Sequence, residues 1–246
     1  MTYKQRQSNQ KGFTIVELMI ALAVLSFILI LSTVIMIQIG SLFNKGVTSS
    51  NLQNSTQNIM SDVTSVIQFS GSSVVQYQPP SGTPPNEYQY TNNLGKTVGF
   101  GAYCIGTARY SYVLGNELGT DSSTGALTPY VLWRDTLTSV SKDPGCTPAN
   151  MDDTTVGQNP STAGVSSGEV VAGSGYEMMS NHTQLANFSI QNSSLGNDVY
   201  NVTISTAYGD ADQFDSTGHC KFSLQSASTA FCSTFSVNST VEGRIY

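Results

Sequence analysis

One continuous apolar run near the N-terminus limits what this chain can fold into. Residues 18–37 contain no charged residue, no proline and no glycine. A helix of this length reaches roughly 30 Å, the thickness of the hydrocarbon core of a bilayer. The run follows Lys4, Arg6 and Lys11, and basic residues mark the flank that stays in the cytoplasm. We therefore predict a single membrane-spanning helix whose N-terminal end is cytoplasmic and after which the chain, from Gly40 onwards, is exported.

A cleaved secretory signal peptide is the competing interpretation of this run. Such a peptide has an apolar region of about 7 to 15 residues, followed by a small-residue cleavage site. The run in this chain is longer, and no A-x-A-like site follows Ile39. The sequence therefore favours a helix that is retained in the protein.

A lone carboxylate, Glu17, stands at the head of the apolar run, where a charge in lipid is costly. The order of features around it is a basic leader that ends in Lys11-Gly12, the segment FTIVEL at 13–18, and the long apolar helix. This order closely resembles the type III signal of type IV pilins and type II secretion pseudopilins, over about residues 4–40. The resemblance implies that a prepilin peptidase cleaves between Gly12 and Phe13, that Phe13 is N-methylated, and that 234 of the 246 residues remain.

The resemblance also implies a role for Glu17 in assembly. In the family, the equivalent glutamate pairs with the N-terminal amine of a neighbouring subunit, and cleavage before Phe13 would create that amine. A missed pair leaves a buried charge alone, at a cost of several kcal/mol, so the pair fixes the axial register. The alternative is a tolerated charge near the membrane interface, with a side chain that reaches the head groups.

Downstream of the span, apolar residues continue at helical spacing, and Gly71 marks a helix end. The members of this stripe are Leu52, Ile59, Val63, Val66 and Ile67. We predict four segments: a leader (1–12), a membrane or filament-core helix (13–40), an amphipathic helix (41–71) and a β-rich extracytoplasmic domain (72–246).

Short runs of β-branched and aromatic residues fill the remainder, which is typical of strands. The predicted strands are 98–105, 108–114, 129–140, 185–191, 198–208 and 220–224. Turn formers dominate residues 77–95 and 141–168, which are therefore predicted surface loops. The predicted fold is α+β and pilin-like, with a long N-terminal helix packed on an antiparallel sheet.

Four cysteines lie in the predicted exported part, and an even number in an oxidising compartment predicts two disulfides. Three connectivities are possible. We favour Cys104–Cys146, which would tether the loop at 141–168, and Cys220–Cys232, which is similar to the disulfide-bounded C-terminal region of many pilins. Zinc is the rival hypothesis, but it requires closely spaced ligand pairs and no C-x-x-C occurs.

Other candidate sites have incomplete patterns. Asp210, Asp212 and Asp215 lie in a Gly-containing stretch and form a calcium candidate, yet Phe214 breaks the alternation of oxygen ligands and a solvated acidic turn is the simpler interpretation. Neither His182 nor His219 stands beside a nucleophile and an acid. We therefore expect no enzyme activity and no cofactor.

Tyrosines are dense in residues 77–112, where sheet packing and an exposed contact surface are both possible. The tyrosines concerned are Tyr77, Tyr88, Tyr90, Tyr103, Tyr110 and Tyr112. The chain has ten basic and sixteen acidic residues, and loss of the three basic residues of the leader would change the net charge from -6 to -9. This balance argues against a general nucleic-acid-binding surface.

The resemblance implies a structural subunit of a type IV pilus or related filament that serves adhesion, motility or DNA uptake. The large β domain and the lack of a helix-breaking proline near Val34 are similar to the larger minor pilins of the W and J type. The alternatives are a type II secretion pseudopilin of a short periplasmic filament, and a membrane-anchored binding protein that never polymerises. The implied partners are other pilin subunits, the prepilin peptidase, the inner-membrane assembly platform and, before assembly, the membrane; the implied destination is an extracellular pilus or a periplasmic pseudopilus.

Overall fold

The structure is a computed structural model of the chain. It describes residues 12, 14–71, 73–77, 89–91, 97–115, 119–120, 127–128, 130–138, 146–149, 171, 173–194, 196, 198–209, 220 and 232–244. The chain divides into two compact units, with the boundary between Asn44 and Lys45. The first unit contains the apolar half of the N-terminal helix, and the second contains the remainder of that helix and the sheet.

One helix, α1, runs from Ile15 to Phe69 and confirms the prediction of a single long helix. It continues through Gly40 and Gly46, beside which the space is open, because one glycine costs a helix only about 1 kcal/mol. The helix ends before Gly71, which adopts a φ of 60°, the left-handed conformation that commonly follows a helix C-terminus.

Eleven described strands follow α1. They are β1 (Val74–Gln76), β2 (Gln89–Thr91), β3 (Thr97–Ile105), β4 (Ala108–Leu114), β5 (Gly119–Thr120), β6 (Leu127–Thr128), β7 (Leu132–Thr136), β8 (Tyr176–Glu177), β9 (Thr183–Asn192), β10 (Val199–Tyr208) and β11 (Ser233–Glu242). Strands β3 and β4 form a hairpin whose turn begins at Gly106, with a φ of 59°. A positive φ at the first turn position is characteristic of a type II′ turn and is accessible to glycine.

The main sheet has the order β1-β3-β4-β9-β10-β11, with β2 on β3, β7 on β4 and β8 on β7. The prediction of an antiparallel sheet is correct for every described pair except one. Strands β4 and β9 are parallel where Leu114 lies opposite Leu185. The sheet is therefore mixed, since β7 and β9 pair with the same strand in opposite directions.

The second half of α1 packs on one face of this sheet and forms the core. Leu52, Ile59, Val63 and Ile67 are at most 2% exposed. Val66 is partly buried and packs against the core cluster that includes the last three of these residues. The predicted helical stripe is thus confirmed. A buried hydrogen bond of 2.6 Å between the hydroxyls of Thr56 on α1 and Thr206 on β10 adds a polar contact between the two layers.

A short segment at 146–149 covers part of the opposite face of the sheet. Cys146 and Ala149 are buried, and the Ala149 N–H donates a hydrogen bond of 2.8 Å to the hydroxyl of Ser111 on β4. The prediction of a surface loop throughout 141–168 is therefore wrong at these residues. Turn-forming composition predicted the lack of regular structure, but it does not show which residues of a loop a disulfide draws inward.

Candidate functional site

The carboxylate of Glu17 lies in the first turn of α1 and forms a reciprocal arrangement with Thr14. Its Oε2 atom accepts hydrogen bonds from the backbone N–H and the hydroxyl of Thr14, both at 3.1 Å. The Thr14 Oγ1 atom accepts a hydrogen bond of 3.2 Å from the backbone N–H of Glu17. This is a capping box, which satisfies two N–H groups that lack partners within the helix. The negative charge is also favourable near the positive end of the helix dipole.

Thr14 is a residue of this site that the sequence reasoning missed. The signal was present, because Thr14 and Glu17 match the S/T-x-x-E pattern directly before an apolar run. Glu17 was interpreted only as an interfacial charge or as an intersubunit partner. The structure adds the local role of starting the helix.

The apolar half of α1 is not covered by the other described residues of its own unit. Every large apolar side chain from Ile15 to Phe43 is at least 48% exposed. By length and composition α1 is able to cross a membrane, and it is the one such helix among the described residues. An apolar surface of this extent indicates contact with lipid or with other proteins.

Three hydroxyl side chains within this half of α1 are satisfied locally. The hydroxyls of Ser26, Ser32 and Thr33 donate hydrogen bonds of 2.8 to 2.9 Å to the carbonyl groups four residues earlier. Such bonds allow hydroxyl groups to lie in an apolar environment. Glu17 is then the one charged side chain in residues 14–44.

The predicted cleavage site lies directly before the capping box. Gly12 is exposed, and a Cβ atom at this position would meet no atom within 4 Å. The described chain therefore gives no packing reason for a glycine here, and cleavage after Gly12 stays a prediction. Phe13 lies outside the described residues, so its N-methylation stays a prediction.

The structure pairs Cys104 with Cys146 and Cys220 with Cys232, at Cα–Cα distances of 5.6 and 5.7 Å. These are the two pairs that the sequence analysis favours. The first bond lies in a small buried cluster with Ala102 and Leu137, and it fastens the segment at 146–149 to β3.

The candidate calcium ligands Asp210, Asp212 and Asp215 lie outside the described residues, so that hypothesis stays a prediction. Among the residues that are described, no group of three or more His, Cys, Asp and Glu side chains could hold a metal ion. His182 occupies the turn before β9 with a φ of 61°, and its ring lies 6.4 Å from that of Tyr208. His219 is outside the described part of the chain.

Three of the clustered tyrosines belong to the core. Tyr103, Tyr110 and Tyr112 are buried, and their ring centroids lie 5.3 to 6.4 Å from that of Phe188 on β9. For these three residues the sheet-packing interpretation is confirmed, and an exposed contact surface is excluded. Tyr88 lies outside the described residues.

One buried ion pair joins β4 to β7. Arg109 and Asp135 are at most 1% exposed and lie opposite each other in the two strands. The Arg109 Nε atom donates to Asp135 Oδ1 at 2.9 Å and Nη2 donates to Oδ2 at 2.5 Å. The Nη1 atom donates to the Thr147 carbonyl at 2.9 Å, so the pair also fixes the segment at 146–149.

A second charged group links α1 to the sheet. Asp62 accepts a hydrogen bond of 2.7 Å from the hydroxyl of Tyr110 and pairs with Arg134 Nε at 2.9 Å. Burial raises the pKa of Tyr110 above its usual range, although Arg134 opposes the change, so the hydroxyl keeps its proton and donates. The geometry accounts for attachment of the helix rather than for chemistry.

Glu177 on β8 is a carboxylate bound by backbone groups. It accepts hydrogen bonds of 2.8 to 3.0 Å from the N–H groups of Val131, Leu132 and Met179. Burial raises the pKa of Glu177 to about 7, although these backbone amides lower it. The carboxylate therefore holds the start of β7 against β8, and its protonation state changes near neutral pH.

Comparison with known proteins finds a similarity in the first part of the chain. The family model for the prokaryotic N-terminal methylation motif matches residues 7–33. These residues include Gly12, the capping box and the exposed apolar helix as far as Thr33. No curated protein and no solved structure matches the chain.

Proposed function

We propose that the chain is the precursor of a filament subunit, a type IV pilin or a pseudopilin, and that its role is structural rather than enzymatic. The observation that carries the proposal is a coincidence of position. The methylation motif at 7–33 overlaps the start of a helix whose apolar side chains are exposed from Ile15 to Phe43. A filament subunit of this class needs both features. Its apolar helix first lies in the membrane, its leader is removed at the processing motif, and the helix is then packed among other subunits.

This arrangement supports the following maturation and assembly of the chain. A prepilin peptidase removes the leader, residues 1–12, and the new N-terminal Phe13 is methylated. The helix at 13–40 lies in the inner membrane with its N-terminal end in the cytoplasm, and then in the filament core. The amphipathic helix at 41–71 and the domain at 72–246 are exported. The assembly platform of the membrane and other pilin subunits are the partners.

Within this class we favour a pilus subunit over a secretion pseudopilin, and a rare subunit of the W or J type over an abundant one. The size of the domain after residue 71 and the lack of proline within α1 support this choice. Surface filaments sheared from cells should contain the chain with N-methyl-Phe13 at its start, as measured by mass spectrometry. A periplasmic location with no chain in sheared filaments would favour the pseudopilin.

The proposed role of Glu17 is to pair with the Phe13 amine of another subunit. Support comes from its position, since it is the one charge among uncovered apolar residues, and a charge in such surroundings requires a partner. The capping box offers a competing role, because Thr14 already satisfies Oε2 within the chain.

Three substitutions separate the two roles. Glu17→Gln keeps an acceptor for the capping box but removes the charge, Glu17→Ala removes both, and Thr14→Ala removes the cap but keeps the charge. We expect all three proteins in the membrane, with Glu17→Gln and Glu17→Ala lost from sheared filaments and Thr14→Ala retained. Immunoblots of membrane and filament fractions measure this, and mass spectrometry of Phe13 controls for processing. Normal filaments from Glu17→Gln together with failure of Thr14→Ala would show that capping is the function.

A further inference from the structure

Strand β11 forms an open edge of the main sheet. It pairs with β10 along all of Ser233–Glu242 and stands last in the strand order. Within the described part of the chain, no backbone hydrogen bond reaches β11 from the side opposite β10. Every second residue of an edge strand directs its N–H and C=O groups away from the sheet. About half of the ten residues of β11 therefore offer unused backbone donors and acceptors.

This edge lacks the features that usually prevent pairing with another strand. Such edges are commonly short, bulged, or interrupted by proline or charged side chains. Strand β11 has ten residues, no proline and no glycine, and its one charged residue is Glu242 at the end. Its register with β10 is regular throughout. Among the residues that the structure describes, nothing therefore pairs with this edge over Ser233–Glu242.

The side chains of β11 point to the same conclusion. Its outward row is polar and exposed at Thr234, Ser236, Asn238 and Thr240. The row on the helix side includes Phe235 and Val237, which are only half-buried, and Val237 packs against the core. A further strand beside β11 would cover these two apolar side chains while it bonds to the backbone.

We propose that β11 is a homotypic docking strand, which pairs in antiparallel fashion with β11 of a second copy of this chain. A register centred on Val237 places Val237 opposite Val237, Phe235 opposite Ser239, and Ser236 opposite Asn238. It keeps the two apolar rows on one face and leaves Glu242 beyond the last pair. No charge then meets a like charge, so the sequence of β11 is complementary to itself.

The lengths of the edge strands favour β11 of a second copy as the partner of β11. The other end of the sheet offers β1 and β2, which have three residues each, and neither matches a ten-residue strand. Two copies of β11 pair from Ser233 to Val241, nine of the ten residues of the strand, and form a closed two-fold interface. If the proposed function is correct, this contact joins subunits of adjacent filaments, because subunits within one filament all point the same way and have no such two-fold axis.

Cysteine cross-linking tests the contact in the full chain, either in cells or in detergent micelles. Val237→Cys places the same residue on both sides of the axis, so we expect a dimer on non-reducing gels that disappears on reduction. Thr203→Cys on β10 is the matched control on a central strand, and we expect it to stay monomeric. Equal dimer from both variants, no dimer from either, or a cross-linked product of Val237→Cys whose mass shows a different protein would overturn the proposal.

A charge substitution provides a second test that leaves the fold in place. Ser236→Lys adds an exposed cation to the edge, and Asn201→Lys adds one to the same face of β10, away from the edge. We expect Ser236→Lys to raise the dimer dissociation constant about fivefold or more, since the register places the two lysines diagonally across the paired strands, where their long side chains are within reach of each other and repel, and Asn201→Lys to leave it unchanged. Light scattering of the micelle-bound chain measures both. The outcome does not depend on processing or on Glu17, so it is independent of the filament proposal.

Discussion

Replacement of Asp135 tests whether the buried ion pair with Arg109 stabilises the contacts of β4 with β7 and with the segment at 146–149. Asp135 is fully buried and accepts two hydrogen bonds from Arg109. In Asp135→Asn the guanidinium keeps its charge but loses the matching carboxylate. A buried pair that loses one partner typically costs about 3 to 5 kcal/mol, because the remaining charge is uncompensated. We expect a loss of this size in the free energy of unfolding.

The reverse single variant and the double variant complete the cycle. Arg109→Met leaves the carboxylate alone and also frees the Thr147 carbonyl, so we expect a loss of about 3 to 5 kcal/mol or slightly more. Arg109→Met with Asp135→Leu replaces both charges by apolar groups, and such replacements are close to neutral. The double variant should therefore lie within about 2 kcal/mol of the wild type, with a coupling energy of at least about 3 kcal/mol.

Urea unfolding of the full chain in micelles, with the disulfides intact, measures these values. Trp133 is the single tryptophan and lies two residues before Asp135 in β7, so its fluorescence reports on the surroundings of β7. A loss under about 1 kcal/mol in Asp135→Asn, or additive single losses, would refute the argument.

Two further predictions concern the region around β7. Burial raises the pKa of Glu177 from 4.5 to about 7, so the folded state binds the proton of this carboxyl group more tightly than the unfolded state does. The resulting contribution to the free energy of unfolding is complete below pH 4.5 and is lost as the pH rises to about 7. Relative to Glu177→Gln, which cannot titrate, the wild type should lose about 3 kcal/mol over that interval in urea titrations, and parallel pH profiles would contradict this. A Cβ atom at Gly175 would overlap the buried ring of Trp133, so Gly175→Ala should destabilise the fold by about 1 to 3 kcal/mol. The control Gly46→Ala meets open space in a helix and should stabilise it by up to about 1 kcal/mol, so equal melting shifts would show that the ring contact is unimportant.

Local patterns in the sequence predicted α1 and its buried stripe. The period of Leu52, Ile59, Val63 and Ile67 reflects a face that must be covered, and the structure buries all four. Glu17 was noticed because a charge is rare in such a run. Its bond to Thr14 corresponds to a capping pattern that lies within four residues of the sequence.

Strand β11 was not predicted, and its composition explains why. Six of its ten residues are Ser, Thr or Asn, so its apolar side chains alternate with a polar row and appear sparse. An edge strand with one face in solvent requires apolar side chains only at every second position, on the face that covers the core. The parallel contact of β4 with β9 was likewise beyond local patterns, because strand direction depends on how a chain returns to the sheet. The buried position of Cys146 depends on a bond to a residue far away in sequence.

Glu17 takes part in a local capping box and has, in addition, a proposed role in assembly. In the precursor, Thr14 and the positive end of the helix dipole stabilise its carboxylate. Cleavage before Phe13 would place a cationic amine one residue before Thr14, so the same carboxylate would then have a charged partner available within its own chain. Pairing with another subunit must therefore release this local partner, and the net gain is smaller than the full cost of an unpaired charge. The comparison of Glu17→Gln with Thr14→Ala tests this balance, because the first removes the charge on which the proposed intersubunit pair depends, and the second removes the Thr14 hydroxyl but keeps that charge and the backbone N–H that also donates to it.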